Sequence, residues 1–400
     1  MDLFSSTRRA MLRRAGALSL WPLRGATPTP SGIYEELGVR PVINCMGSFT
    51  MIGASRKRPE LDALMAEASR HFVFIEELQE KVGERLAKLV GTESAMVTTG
   101  AAGAITLGTC ACLTGEDSEK IRQLPDLAGM KSDVLIQKKH RNPFDHAIRN
   151  TGVRLVVVET PEQLVNAISG RTAMMYAFAT FGEPPATDLI PLEVCVTACK
   201  KAGVPIMVDA ANLIPPWDNV RRVAAMGTDL ICISGGKHMC GPQCSGILAG
   251  RRDLIRAALL NSCPNEDALG RPLKVGREEI IGVWKAAERY ASLDFQELER
   301  NCDTQAKWLV TQLGRIPGVT SGLAPYEPSR HLPRVIARWD SSIRLTSAEC
   351  LRLLLDGDPR IAALPDEPQG VRFAMFLGES GDEKLVARRM QEIFARAQTA

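Results

Sequence analysis

The chain has 400 residues, 45% hydrophobic and 24% charged, the composition of an ordinary soluble globular enzyme. A net charge of +3 and an aromatic content of 5% give no basic, base-stacking surface, so nucleic acid is not an expected partner. No apolar run reaches about 18 residues, so no membrane span is expected.

In chain order, residues 1–31 stand apart. Arg8 and Arg9 precede a modest apolar segment, Ala15 to Leu23, in the manner of a twin-arginine export signal. That segment is short, contains Pro22 and lacks a clean cleavage site, so a disordered basic extension fits equally. Localisation stays open between cytoplasmic and exported. TPTPSG (27–32) reads as a linker. GIYEELGVRPVINCMGSFT comes next as a short helix and an extended segment. Residues 59–91 repeat apolar positions at helical spacing and end at Gly91, a fitting C-cap.

From 95 to 250 strand-like and helical runs alternate. AMVTTG (95–100), DVLIQKK (133–139), RLVVVET (154–160), TAMMYAFAT (172–180), PIMVDAAN (205–212), DLICISGG (229–236) and SGILAG (245–250) are apolar runs of strand length. AAGAITLGTCACLTG and PLEVCVTACKKAG (191–203) read as helices. Apolar strands between helices predict a mostly parallel sheet covered on both faces. The region after about 277 opens with a long helical run. Short strands come after it (VTSGL, RVIARWD, VRFAMF), then a closing helix, DEKLVARRMQEIFARAQ. The expected organisation is an extension (1–31), a large α/β domain (32–276) and a smaller α+β domain (277–400). The 11 scattered cysteines read as small buried hydrophobes of a reduced protein.

Lys237 lies just beyond the strand DLICIS, where α/β sheets carry their functional loops. Gly235 and Gly236 would let the backbone approach a ligand closely. Ser234 stands three residues before the lysine. A lysine that condenses with an aldehyde must be partly desolvated, because the neutral amine is the nucleophile. Alone, Lys237 reads as well as a solvated loop residue. Asp209 ends the strand PIMVD and suits either a protonated ring nitrogen or a helix N-cap. TTGAAGA (98–104) joins a strand to a helix, and its amides suit a phosphate. Phosphate cup, strand-end aspartate and S-x-x-K, in that order, are the parts a pyridoxal phosphate site needs.

The chain resembles the fold-type I pyridoxal-phosphate enzymes, in the branch of selenocysteine synthase and the D-glucosaminate-6-phosphate ammonia-lyases. The resemblance spans about residues 32–395. It is carried by GVRPVINCMGSFT, VTTGAAGAITL, MVDAAN, SGGKHMCGPQCSGILAG and RPLKVGREEI. It implies a large domain with a mostly parallel seven-stranded sheet, a smaller C-terminal α+β domain, and pyridoxal 5'-phosphate as cofactor. By position it implies Lys237 as the cofactor lysine and Asp209 as the ring-nitrogen partner. Gly100, Ala101, Ala102 and Ser234 become phosphate contacts. Family-like sequence starts near Gly32, without the tRNA-binding domain of selenocysteine synthase, which argues against a tRNA substrate. A homodimer or higher homo-oligomer acting on a small amino acid or amino-sugar acid is implied.

Several candidates remain around this centre. His140 ends DVLIQKKH and is a candidate to stack on the cofactor ring, or a capping histidine. His146 is a weaker candidate, and Gln243 is expected to fix the loop after the lysine. A substrate carboxylate calls for an arginine fork, with Arg372 favoured over Arg271. Arg277 is a candidate to reach a neighbouring subunit's phosphate. His238, Cys240 and Cys244 cluster, but tetrahedral zinc needs four ligands and no second pair has matching spacing, so no metal is expected. The leading reading is a lyase that removes a β-hydroxyl from a 2-amino acid and releases a 2-keto acid and ammonia. Transamination, racemisation, carbon–sulfur cleavage and selenium transfer are alternatives on the same cofactor. A dehydrogenase would need an acidic strand end about twenty residues beyond TTGAAGA, where GEDSEKIRQ is polar instead.

Overall fold

A computed structural model describes residues 32–179, 189–325 and 332–397. The signal-like extension (1–31) lies outside these residues, as do Thr180 and Gln398 at the ends of two expected elements. The chain divides into two units, Met1–Pro41 and Val42–Ala400. In the first, α1 (Ile33–Glu36) forms the expected short helix. The second unit holds the remaining elements.

Strand β1 (Val42–Asn44) leads to α2 (Glu60–Ser69) and α3 (Ile75–Val90). The single helical run expected over 59–91 is therefore two helices. Phe72, Val73 and Phe74 interrupt it: aromatic and β-branched residues propagate a helix poorly, and these three stay exposed. Helix α3 ends as expected at Gly91, whose φ of 86° is the left-handed C-cap glycine favours.

The seven apolar runs all become strands of one sheet. They are β2 (Ser94–Thr99), β3 (Asp133–Gln137), β4 (Arg154–Val158), β5 (Thr172–Phe178), β6 (Ile206–Asp209), β7 (Leu230–Ser234) and β8 (Ser245–Gly250). Their spatial order is β2-β8-β7-β6-β5-β3-β4. Neighbours from β7 to β4 are parallel, and β8 runs antiparallel to both β2 and β7. Side chains alternate between two cores. Ile206, Val208, Ile231 and Ile233 enter one. Met207, Leu230, Cys232 and Tyr176 enter the other. Helix α4 (Gly100–Thr114) packs in the second core. So does α7 (Arg252–Leu260), whereas α5 (Leu192–Ala202) and α6 (Asp218–Ala225) pack in the first.

The long helical run after 277 is also two helices. Helix α8 (Arg277–Ala291) packs Ile280, Val283 and Ala287 into the first core. Asp294 then caps α9 (Phe295–Leu313) by accepting from the Gln296 and Glu297 amides. A third core lies beyond, around an antiparallel sheet of order β12-β13-β10-β9. Its strands are β9 (Val319–Leu323), β10 (Val335–Trp339), β12 (Leu364–Pro365) and β13 (Gly370–Phe373). Strand β11 (Arg360–Ala362) pairs in parallel with β1, and Cys45 joins this core. Helices α10 (Ser347–Asp356) and α11 (Asp382–Ala397) complete it. The expected strand VRFAMF stops at Phe373, because the Ala374 amide turns to bond Cys45 O at 2.8 Å.

Candidate active site

Strand β7 delivers Lys237 through two glycines. The lysine is half-buried, and Nζ donates to Asn212 Oδ1 at 2.9 Å. Desolvation lowers its pKa while the charge of Asp209 opposes the shift, so burial wins and favours the neutral nucleophile. The glycines also have a packing role. A Cβ at Gly235 would lie 2.2 Å from Ser245 Oγ and 2.7 Å from Val283 Cγ2, and one at Gly236 2.5 Å from Gln243 Cα. The protein's own packing requires glycine at both positions. The loop is tied down from the N-terminal side. Ser55 Oγ donates to Gly236 O at 2.8 Å, the Arg58 amide to Cys240 O at 3.1 Å, and Gln243 Nε2 to Thr50 O at 3.3 Å. His238 stacks on Phe376, ring centroids 5.2 Å apart. The Cys240 thiol is directed to His238 O at 3.5 Å. Among the described residues no group of three side chains suited to a metal lies together.

Asp209 ends β6 and is 6% exposed. Tyr176 Oη donates to its Oδ2 at 2.6 Å and the Ala211 amide to its Oδ1 at 2.8 Å. No lysine or arginine pairs with it among the described residues. The N-cap reading fails, because the next helix, α6, begins only at Asp218.

Helix α4 starts where Ser234 ends its strand. Across the sheet Ser234 is in register with Gly246, and Gly246 with Thr98. A Cβ on Gly246 would lie 2.3 Å from Gly100 C and 2.8 Å from Ala101 N, so glycine is what lets the helix start sit against β8. Gly100 has φ +66°. Thr99, at the cap position, makes no capping bond, and its buried Oγ1 has no partner among the described residues. First-turn amides of a helix, here including Ala101 and Ala102, have no intrahelical acceptor. The helix start thus presents amides suited to an anion.

His140 lies one turn beyond β3, 5% exposed. The Phe178 amide donates to its Nδ1 at 3.3 Å, and burial lowers its pKa to about 4. The ring is therefore neutral with its proton on Nε2, which is buried and has no partner among the described residues. It meets Phe178 edge-on at 5.2 Å, and Phe178 is in register with Asp209.

The arginines stand differently. Arg372 is half-buried, with Nη2 on Asp366 Oδ1 at 2.8 Å. Arg271 Nη1 lies 3.3 Å from Cys263 Sγ. Arg277 bonds Ala68 O and Ser69 O, each at 2.9 Å, so it caps α2. His146 stays beside Arg149. Sequence reasoning missed Tyr176, Asn212, the Thr99 hydroxyl and Arg334, whose guanidinium lies 5.3 Å from the Phe376 ring. Asn212 had a signal, three residues after Asp209. Tyr176 had only the oddity of a phenol in an aliphatic strand.

Pyridoxal phosphate combines a phosphate, a ring nitrogen that carries a proton, and an aldehyde. The ends of β2, β6 and β7 present a helix N-terminus, a carboxylate with no cationic partner among the described residues, and a desolvated amine. Cofactor chemistry and residues fit, and the molecule has the fold-type I architecture of pyridoxal-phosphate enzymes. Residues 146–336 match the aminotransferase class-V family. The chain is 30% identical over 271 residues to D-glucosaminate-6-phosphate ammonia lyase of Salmonella typhimurium (strain 14028s / SGSC 2262), covering 66% of this chain and 70% of that protein. It is 29% identical over 380 residues to a 5'-C-glycyluridine monooxygenase-decarboxylase of Streptomyces sp, covering 90% and 91%. A solved structure of D-glucosaminate-6-phosphate ammonia-lyase superposes with a TM-score of 0.78 at 26% identity, over 92% of this chain and all of that one. The chain belongs to the pyridoxal-phosphate-dependent enzyme family of this ammonia lyase.

Proposed function

We propose that the protein removes water from a 2-amino-3-hydroxy acid, an amino-sugar acid such as D-glucosaminate or its 6-phosphate, and that the resulting enamine takes up one water to give a 2-keto acid and ammonia. The observation that carries this is the desolvated Lys237 amine set near a carboxylate, Asp209, that no arginine among the described residues neutralises. The amides of Gly100, Ala101 and Ala102, with Ser234, hold the cofactor phosphate. Asp209 would meet the ring nitrogen, His140 would pack beside the ring, and Lys237 would be the residue that links the cofactor. Bound there, pyridoxal phosphate supplies the sink for the electron pair left at the substrate's α-carbon. The free Lys237 amine would take the α-proton on Nζ, with Asn212 Oδ1 orienting that amine. The resulting ammonium returns a proton to the departing β-hydroxyl, which leaves as water. Arg372 or Arg271 takes the substrate carboxylate, and replacing each by lysine separates them by their effects on KM. The working form is a homodimer or higher homo-oligomer.

The test incubates holoenzyme with D-glucosaminate and, separately, its 6-phosphate, and follows 2-keto acid, ammonia and dissolved oxygen. Equal release of keto acid and ammonia by wild type, and none by Lys237→Ala, is the expected result. A requirement for an amino acceptor moves the reading to transamination. Oxygen uptake with release of carbon dioxide moves it to the chemistry in the Streptomyces relative's name. No product, with a substrate-induced change in the cofactor's absorption, overturns the dehydration and leaves the cofactor site standing.

A further inference from the structure

Four aspartates are buried in the described residues: Asp133, Asp145, Asp209 and Asp366. Three are each held by two arginines: Asp133 by Arg154 and Arg171, Asp145 by Arg141 and Arg149, Asp366 by Arg338 and Arg372. Asp209 alone is held by a phenol and an amide. A buried carboxylate needs donors, and an arginine supplies them together with a compensating charge. A phenol supplies a donor and no charge.

We propose that Tyr176 is a positioning residue for Asp209: its hydroxyl and the Ala211 amide fix the carboxylate's orientation with uncharged donors, and so leave its whole charge for the cofactor's ring nitrogen. The sheet builds this contact. Strands β5 and β6 are parallel neighbours with Phe178 opposite Asp209, and Tyr176 stands two residues earlier on the same face. Tyr176 is 1% exposed among aliphatic residues, and Phe178 meets it edge-on at 5.5 Å, so its ring has one place to go. Burial and the neighbouring Asp209 charge raise the phenol's pKa well above its ordinary value, so Tyr176 remains a donor. Cys232 is also held neutral by burial and by Asp209. The Asp209 charge also reaches the Lys237 amine, where it opposes the effect of burial.

This inference rests on Asp209 being the ring-nitrogen partner, and its test needs no substrate. Holoenzyme carrying Tyr176→Phe, Asp209→Asn or both is compared with wild type by visible absorption and by cofactor dissociation constant. Tyr176→Phe keeps the ring, removes one donor and is expected to change the balance of the cofactor's absorption bands. It should also weaken cofactor binding about 10-fold, the worth of a hydrogen bond to a charged group. The same substitution added to Asp209→Asn is expected to change neither. Should Tyr176→Phe alone not fold, the double variant, which buries no ionised carboxylate, is compared directly with Asp209→Asn, and equal affinity is the expected result. A Tyr176→Phe spectrum and affinity identical to wild type, or equal losses in both backgrounds, would overturn the positioning role while leaving Asp209 in place. An Asp209→Asn holoenzyme indistinguishable from wild type would remove the reading of Asp209 itself.

Discussion

Asp209 in the large lobe and Asp366 in the small lobe are equally buried, each 6% exposed, and differ in what surrounds them. Asp366 takes Arg338 at 2.5 Å and Arg372 at 2.8 Å. Burial alone would raise its pKa, but the bonds from Arg372 and Arg338 outweigh burial and lower it. Its charge is neutralised inside the lobe. Asp209 has no counter-charge bonded to it among the described residues and stands at the end of a parallel strand, where such folds place ligands. The fold supplies paired arginines to three other carboxylates, so their absence here is a property of the position. A buried charge left uncompensated marks where an outside cation belongs.

The comparison breaks most sharply by substitution. If Lys237 has its proposed roles, Lys237→Ala should lower turnover about a thousand-fold or more, because both the covalent anchor and the base go with it. Loss of the bound cofactor's absorption band in the same protein checks that the lysine holds the cofactor. Asp209→Asn should lower kcat about a hundred-fold with little change in thermal stability, since its one amide oxygen still accepts from the Ala211 amide and its NH2 donates to the Tyr176 hydroxyl oxygen. Asp366→Asn should do the reverse. It removes the carboxylate that accepts from Arg338 and from the half-buried Arg372, and should destabilise the fold by about 3 kcal/mol in urea titrations while the loaded protein keeps its absorption. Equal behaviour of the two variants would erase the distinction between the two carboxylates.

Much of the frame was legible because buried parallel strands are continuous apolar runs bounded by turn residues, and all seven runs became one sheet. Lys237 and Asp209 were legible for the same reason, as polar residues at the ends of such runs. What pairs across the sheet was not. The Tyr176–Asp209 bond depends on β5 lying beside β6, which local pattern does not encode. The close packing at Gly235, Gly236 and Gly246 comes from Ser245, Val283, Gln243 and Gly100, which meet them only in the fold. The long helical runs were over-extended because apolar spacing continues across Phe72–Phe74 and across Ser292–Asp294, while the breaks lie in exposed aromatics and a capping aspartate.

Acid should separate the lobes as well. His140 is neutral when folded, with a pKa of about 4 against an ordinary 6.5. A base whose folded pKa is depressed contributes stability that is fully present above the unfolded value and is lost as pH falls from about 6.5 toward 4, where the unfolded chain takes up a proton the folded one refuses. The loss amounts to at most about 3 kcal/mol. Denaturant titrations of the cofactor-free protein over that window should show the slope in wild type and a flatter profile in His140→Gln. Asp366, with a lowered pKa, keeps its contribution through this window and loses it only below its unfolded value near 4. A wild-type profile that stays flat between pH 6.5 and 4 would mean that His140 is not held neutral by burial.

The smallest effect tests the same contrast between paired and unpaired groups, with tyrosine in place of aspartate. Tyr176 and Tyr290 are both almost wholly buried, at 1% and 2% exposure. The first donates to Asp209, whereas the hydroxyl of Tyr290, on α8, has no partner among the described residues. Its pKa is raised chiefly by burial, as expected of a phenol sealed from water. Removing a hydroxyl that bonds nothing forfeits no hydrogen bond and relieves a desolvation penalty. Tyr290→Phe should therefore be neutral or stabilising by up to about 1 kcal/mol in thermal or urea unfolding, whereas Tyr176→Phe strips Asp209 of a donor. A loss above about 1 kcal/mol in Tyr290→Phe would show that the hydroxyl is bonded in solution, and the physical difference between the two tyrosines would then lie in which partner each has rather than in whether it has one.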